Sequence, residues 1–99
     1  SRFDNETVKA VLNEYLATYS HNDDNNAWFN KLKDIADKFG FASDMKAYKK
    51  EPEKYRGNVS DIAEIIRIAI TGRANTPDLW SIVHVMGEEQ MTERIKAEL

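Results

Sequence analysis

Apolar side chains recur at intervals of three or four residues through most of this 99-residue chain. This period places them on one face of an α-helix, whereas a half-buried strand would require strict alternation. Two such stripes precede residue 40, and they consist of Val8, Leu12, Tyr15 and Tyr19, followed by Trp28, Leu32, Ile35, Ala36 and Phe39. The chain contains no cysteine, so disulfides are excluded. The pattern therefore predicts an all-α fold.

Three further stripes follow residue 60 and predict a compact bundle of about five amphipathic helices. Their residues are Ile62, Ile65, Ile66, Ala69 and Ile70, then Leu79, Ile82, Val83 and Met86, then Met91, Ile95 and Leu99. We expect Ser60 to cap the third helix, and Thr76 to cap the fourth with Pro77 at its first position. Residues 49–58, after a short helical turn, are expected to form a long surface loop.

The predicted helices form one domain over residues 1–99, with a leading helix in residues 1–22 and the main motif region in residues 23–99. The chain has no apolar run long enough to span a bilayer and no signal-peptide pattern. It also begins without a methionine. We therefore expect a cytoplasmic origin and an excised piece of a larger protein.

The charges are unevenly distributed. The net charge of −3 argues against a generic polyanion binder, yet residues 46–73 carry seven basic and four acidic side chains. This middle segment is locally positive between acidic ends. It is either a chance fluctuation of a solvated surface or a binding face for an anion.

The residues that usually carry catalysis are sparse. His21 and His84 lie far from each other in the sequence and lack neighbours at metal-ligand spacing. The sequence contains no glycine-rich phosphate loop and no nucleophile elbow. We therefore expect no catalytic residues and no metal site in this chain.

Binding chemistry is better supported, around the junction of the third and fourth predicted helices. A helical wheel places Arg67 outside the apolar arc, where it either pairs with Glu64 or points at a ligand. Arg73 lies in the polar connector that follows, and the helix expected to start at Thr76 offers free backbone N–H groups. Such a patch suits single-stranded RNA. Trp80 either fills the core or stacks on a base.

A second basic segment, YKKEPEKYRG at residues 48–57, interleaves two tyrosines with four cations. The cations are Lys49, Lys50, Lys54 and Arg56. This pattern is typical of a strip that contacts a phosphate backbone, although two glutamates dilute its charge. We treat these four side chains as candidate phosphate contacts.

The segment IRIAITGRANTPDLWSIVHVMGEEQMTERI, residues 66–95, resembles the C-terminal anticodon-binding region of bacterial glutamyl-tRNA synthetases, which are class I aminoacyl-tRNA synthetases. The pattern R-x-A-x-T-G-R falls on residues 67–73, and the T-P-x-L turn falls on residues 76–79. The match extends over about residues 28–99. One departure is Glu88, which stands where the family usually has a lysine and removes a positive charge from the start of the last helix.

The resemblance implies that this chain binds the anticodon loop of the glutamate tRNA. It assigns base contacts to Arg67, Thr76, Pro77 and Leu79. The larger protein would attach glutamate to tRNA with ATP and magnesium, in a catalytic domain whose signatures are absent from these residues. The competing hypothesis, favoured by the acidic overall charge, is a helical protein-interaction or structural module without a preference for RNA.

Overall fold

The computed structural model describes residues 2–99, so Ser1 of the predicted leading segment lies outside the described residues. Within that range the chain forms six α-helices and one turn of 3₁₀ helix. In order they are α1 (Asn5–Thr18), α2 (Asn25–Lys38), α3 (Met45–Lys50), the 3₁₀ turn (Pro52–Lys54), α4 (Val59–Thr71), α5 (Leu79–Met86) and α6 (Glu88–Lys96). The all-α prediction is confirmed, with one short helix more than expected.

The core lies where α1, α2 and α4 pack against one another, with α6 against α4 and α5 against α6. The apolar stripes supply nearly all of its buried side chains, which include Val11, Leu12, Leu32, Ile35, Ile62, Ile66, Ile70, Val83, Met91 and Ile95. Leu99 was expected in this core but is 40% exposed, because α6 ends three residues earlier at Lys96. No helix within residues 2–99 has the length and apolar character needed to cross a membrane.

A buried hydrogen-bonded chain links three elements of the core. The indole Nε1 of Trp28 donates to the hydroxyl of Tyr15 over 3.0 Å, and that hydroxyl lies 3.6 Å from the sulfur of Met91. Burial raises the pKa of Tyr15 far above the usual range for tyrosine. The polar atoms of two large aromatic side chains are thereby satisfied without contact with water.

The start of α4 differs from the prediction. Asn58, not Ser60, is the N-cap, and its side chain accepts a hydrogen bond of 2.8 Å from the backbone N–H of Ser60. Asp61 completes a capping box, since its carboxylate accepts from the backbone N–H of Asn58 over 2.9 Å. Both Asn and Ser are good caps. The Asp61 carboxylate, three residues after Asn58, favours Asn58 as the cap.

The segment between α2 and α4 is more ordered than the expected loop. Lys49 and Lys50 belong to α3, and Pro52 begins the 3₁₀ turn, where its missing N–H has no consequence. A parallel bridge pairs Ala42 with Asn58 and closes the segment at its base. The expected long surface loop is therefore helical at residues 49–50 and 52–54, and both helical pieces remain on the surface and bury no side chain.

Candidate nucleic-acid interface

Arg67 lies on the side of α4 that faces the α4–α5 connector. Its Nε donates a hydrogen bond of 2.9 Å to Oγ1 of Thr76, nine residues later. The side chain is half-buried, and its two terminal nitrogens have no hydrogen-bond partner within residues 2–99. One edge of the guanidinium is therefore held by the protein, while the other is available to a ligand. The alternative of an ion pair with Glu64 is not formed within the salt-bridge distance of 4.0 Å.

Residues 72–78 form the connector beside Arg67. Gly72 ends α4 with φ of 75°, a left-handed conformation that glycine adopts without strain. The hydroxyl of Thr71 accepts a hydrogen bond of 3.1 Å from the backbone N–H of Arg73, which fixes the chain just after this turn. The Arg73 side chain is exposed and has no partner among the described residues. Two guanidinium groups thus flank one short polar connector.

A third arginine reaches the same end of α4. Nη1 of Arg94, in the last turn of α6, donates a hydrogen bond of 3.0 Å to the carbonyl oxygen of Ile70. That carbonyl is one of the last in α4, where a cation also interacts favourably with the helix dipole. The sequence indicated Arg94 only as part of a motif. Its contact lies 24 residues away along the chain, and no local pattern signals it.

The turn before α5 corrects the expected cap. The helix begins at Leu79 with Asp78 as N-cap, so Thr76 and Pro77 precede it rather than opening it. The Thr76 hydroxyl is diverted to Arg67 and also donates to the carbonyl oxygen of Pro77 over 2.9 Å. The Asp78 carboxylate accepts from the hydroxyl of Ser81 over 2.8 Å and makes no hydrogen bond to the helix backbone. The first amide groups of α5 therefore lack a side-chain cap.

Leu79 and Trp80 are oriented mainly by the protein itself. Leu79 is 2% exposed and belongs to the core, so it is almost inaccessible to a ligand. The indole Nε1 of Trp80 donates to the carbonyl oxygen of Asp23 over 3.0 Å, and the half-buried ring packs against the core. Trp80 therefore holds α5 against the α1–α2 connector. Of the two alternatives for Trp80, filling the core or stacking on a base, its contacts within the protein correspond to the first.

The two histidines, distant in the sequence, stack on each other. The ring centroids of His21 and His84 lie 4.5 Å apart, and the ring centroid of Trp80 lies 4.3 Å from that of His84. The His21 Nδ1 is 2.8 Å from the hydroxyl of Tyr19. Burial, followed by the charges of nearby Glu88 and Asp23, raises the pKa of Tyr19 to about 12. The row of rings fastens α5 to the α1–α2 connector, and residues 2–99 contain no cluster of three or more metal-ligating side chains.

The basic strip divides into exposed lysines and one anchored arginine. Lys49, Lys50 and Lys54 are exposed, on α3 and the 3₁₀ turn. The Arg56 guanidinium instead donates to the carbonyl oxygen of Phe39 over 3.1 Å and to the hydroxyl of Thr7 over 2.5 Å. It therefore joins three separate parts of the fold, and its capacity for a phosphate is reduced.

The strip and the arginines mark opposite ends of α4. The strip precedes Val59, whereas Arg67, Arg73 and Arg94 gather toward Thr71. A helix of 13 residues spans about 18 Å between its first and last residues. Two cationic regions on one domain suit an extended or looped polyanion better than a single small anion.

Comparison with known proteins identifies the same region. The family model described as an anticodon binding domain matches residues 42–99, which include α3 to α6. A glutamate–tRNA ligase of Acetivibrio thermocellus is 52% identical over 93 residues, which are 94% of this chain and 17% of that protein. A glutamate–tRNA ligase of Clostridium perfringens strain 13 is 49% identical over 90 residues, which are 91% of this chain and 16% of that protein.

A more distant relative, the glutamate–tRNA ligase of Sorangium cellulosum, is 38% identical over 85 residues, which are 86% of this chain and 15% of that protein. The chain thus spans about one sixth of the length of the curated relatives it matches. No solved structure matches it significantly.

Proposed function

This chain belongs to the anticodon binding domain family, and we propose that it binds the anticodon loop of the glutamate tRNA. The observation that carries the proposal is the half-buried Arg67, fixed through Nε to Thr76 with its terminal nitrogens unpartnered. A guanidinium held in this way is preorganised, so less side-chain freedom is lost when it binds.

The chemistry proposed for Arg67 is recognition of an unstacked base. The two terminal nitrogens can donate to acceptor atoms on one base edge, which is how proteins read single-stranded RNA loops. The uncapped amides at the start of α5 and the exposed Arg73 would add contacts to phosphate or to base edges. We propose that Thr76 acts by orienting Arg67, that Pro77 borders the bound loop, and that Leu79 supports the turn from within the core.

We further propose that Lys49, Lys50 and Lys54 contact the phosphate backbone of the same RNA. Their exposure supports this arrangement. Such contacts release counterions and make the affinity depend on salt concentration. Arg56 contributes chiefly by holding the strip to the body of the domain.

The relatives support a proposal for the protein to which this domain would belong. They are glutamate–tRNA ligases, and the chain matches about one sixth of their length. We propose that the larger protein attaches glutamate to tRNA in the cytoplasm, with ATP and magnesium bound by other residues. This domain would supply binding of the anticodon and no catalytic group.

The proposal is tested by titrating the domain with a labelled RNA hairpin that carries the glutamate anticodon. Arg67→Ala should weaken binding by about 1–3 kcal/mol, or roughly 5-fold to 150-fold, as expected for a base-edge contact. Lys9→Ala is the matched control, because it removes one exposed positive charge from α1, away from the connector. A hairpin with a scrambled anticodon should bind wild type and Arg67→Ala equally. Equal binding of the cognate hairpin by both proteins would contradict the proposal.

A further inference from the structure

The apolar side chains of helix α5 extend beyond its buried face. Leu79 and Val83 point into the core and are almost fully buried. Ile82 and Met86 are half-buried, with Met86 packed against the core, and Val85 is 90% exposed. These three residues therefore form a partly exposed apolar edge of the helix.

This apolar edge lines an open groove. The groove has a volume of about 620 Å³, and its wall is completed by Pro77, Asp78, Ser81 and Gln90. Neither Arg67 nor Arg73 lines it. Pro77 borders both this groove and the proposed RNA site, but the other apolar residues belong to the groove alone. The groove is thus a different surface from the one that presents the two arginines.

The charges around the groove are negative. Asp78 stands at one end, and Glu88, Glu89 and Glu93 form an exposed acidic surface beside Met86 at the other. No lysine or arginine lines the groove. Carboxylates at both ends repel phosphate, so the chemistry disfavours RNA here. They instead attract basic side chains on either side of an apolar contact.

We propose that this groove binds a basic amphipathic helix of a protein partner, with its apolar side on Ile82, Val85 and Met86 and its lysines or arginines beside Asp78, Glu88 and Glu89. Helices dock into grooves through a few apolar anchors spaced three or four residues apart. The eight residues of α5 extend about 12 Å, which matches two turns of such a helix. A symmetric dimer is a poorer occupant, since a stable interface uses roughly 20–30 residues on each side and seven line this groove.

The test uses a synthetic 14-residue peptide with a leucine stripe at helical spacing and lysines on both flanks. A scrambled peptide of the same composition is the control. Methyl NMR spectra of the domain should show saturable shifts confined to Ile82, Val85 and Met86 with the striped peptide. Val85→Asp should weaken its binding at least tenfold, even though the added negative charge attracts lysine. Met45→Asp, which adds the same charge at an exposed apolar residue on α3, should change the affinity less than twofold.

The double substitution Glu88→Gln and Glu89→Gln should weaken binding of the striped peptide about threefold at low salt. Val85→Asp should fold normally because residue 85 is exposed, and its melting temperature verifies this. The proposal is overturned if the scrambled peptide binds as tightly as the striped one. It is also overturned if an anticodon hairpin, rather than the peptide, shifts these methyl signals, or if sedimentation shows a dimer that Val85→Asp dissociates. Binding of the hairpin through Arg67 is measured separately, so either proposal can fail without the other.

Discussion

The Nε of Arg67 donates a hydrogen bond of 2.9 Å to the hydroxyl of Thr76, across the connector between α4 and α5. This contact fixes the direction of a side chain that would otherwise sample many rotamers. It also explains why Thr76 is not the cap of α5, because its hydroxyl is engaged elsewhere. The pair joins the last turn but one of a core helix to the exposed connector that we propose touches RNA.

Thr76→Val should reduce affinity for the cognate anticodon hairpin about threefold to tenfold, with little change in stability. Valine preserves the shape of the side chain but removes the acceptor for Arg67, a hydrogen bond worth about 0.5–1.5 kcal/mol. Fluorescence anisotropy of a labelled hairpin measures the effect. Thr92→Val, on α6 at a half-buried site whose hydroxyl makes no hydrogen bond within residues 2–99, is the matched control. Unchanged binding by Thr76→Val would show that Arg67 needs no orientation by this hydroxyl.

Arg56→Met should destabilise the fold, whereas Lys54→Met should not. The Arg56 guanidinium holds Phe39 and Thr7 together with the segment before α4, and it lies over the ring of Phe41 at 5.3 Å. Loss of hydrogen bonds from a charged donor lowers the free energy of unfolding by about 1.5–3 kcal/mol. That change corresponds to a melting temperature lower by roughly 6–24 °C. Thermal unfolding followed by circular dichroism gives both values, and equal melting temperatures for the two variants would refute the structural role.

The free energy of unfolding should fall as the pH rises above 10. The pKa of Tyr15 is raised by burial, so between pH 10 and that higher value the unfolded chain loses the proton while the folded chain retains it. The folded state then binds more protons, and stability decreases with pH. The contribution of one such tyrosine is about 1 kcal/mol between pH 9 and pH 11.

Urea unfolding of wild type and Tyr15→Phe at these two pH values isolates that contribution. Tyr15→Phe should be less stable at pH 9, because the buried indole N–H of Trp28 loses its acceptor. Between pH 9 and pH 11, the free energy of unfolding of Tyr15→Phe should fall by less than that of wild type. Tyr48→Phe, at a half-buried tyrosine of α3 with no hydrogen bond in residues 2–99, should retain the wild-type profile. Identical pH dependence in all three proteins would rule out Tyr15 as a source.

Gly57→Ala should destabilise the start of α4. A methyl group at this position would overlap the carboxylate of Asp61 and press on the ring of Phe41. That carboxylate accepts the hydrogen bond from the backbone N–H of Asn58. Loss of a helix cap lowers the free energy of unfolding by about 0.5–2 kcal/mol. Ser60→Ala is the control and should change it by less than about 0.5 kcal/mol, because Ser60 lies inside the helix and is exposed. A larger effect from Ser60→Ala would reverse the assignment of the cap.

The main helices followed from the sequence because their apolar residues recur with the period of a helix and enter one core. The predicted helix caps were wrong where two good capping residues stood close together. Asn58 prevailed over Ser60 through the carboxylate of Asp61, and Thr76 was drawn away by Arg67. The site was predictable in part, since helical spacing placed Arg67 outside the apolar arc. The contacts of Arg56, Arg94 and Trp80 span 17 to 57 residues, and no local pattern encodes them.

Gly87 ends α5 and is also the residue before α6, with φ of 94°. The two helices therefore meet at a single residue, and no spacer exists between them to absorb a change in chain length. One residue inserted within α5 would rotate everything before it by about 100° relative to α6. If it fell between Leu79 and Val83, it would place these two buried side chains on different faces of the helix. The exposed connector at residues 72–75 has room for length variation, so this domain should tolerate insertions there and reject them at the α5–α6 corner.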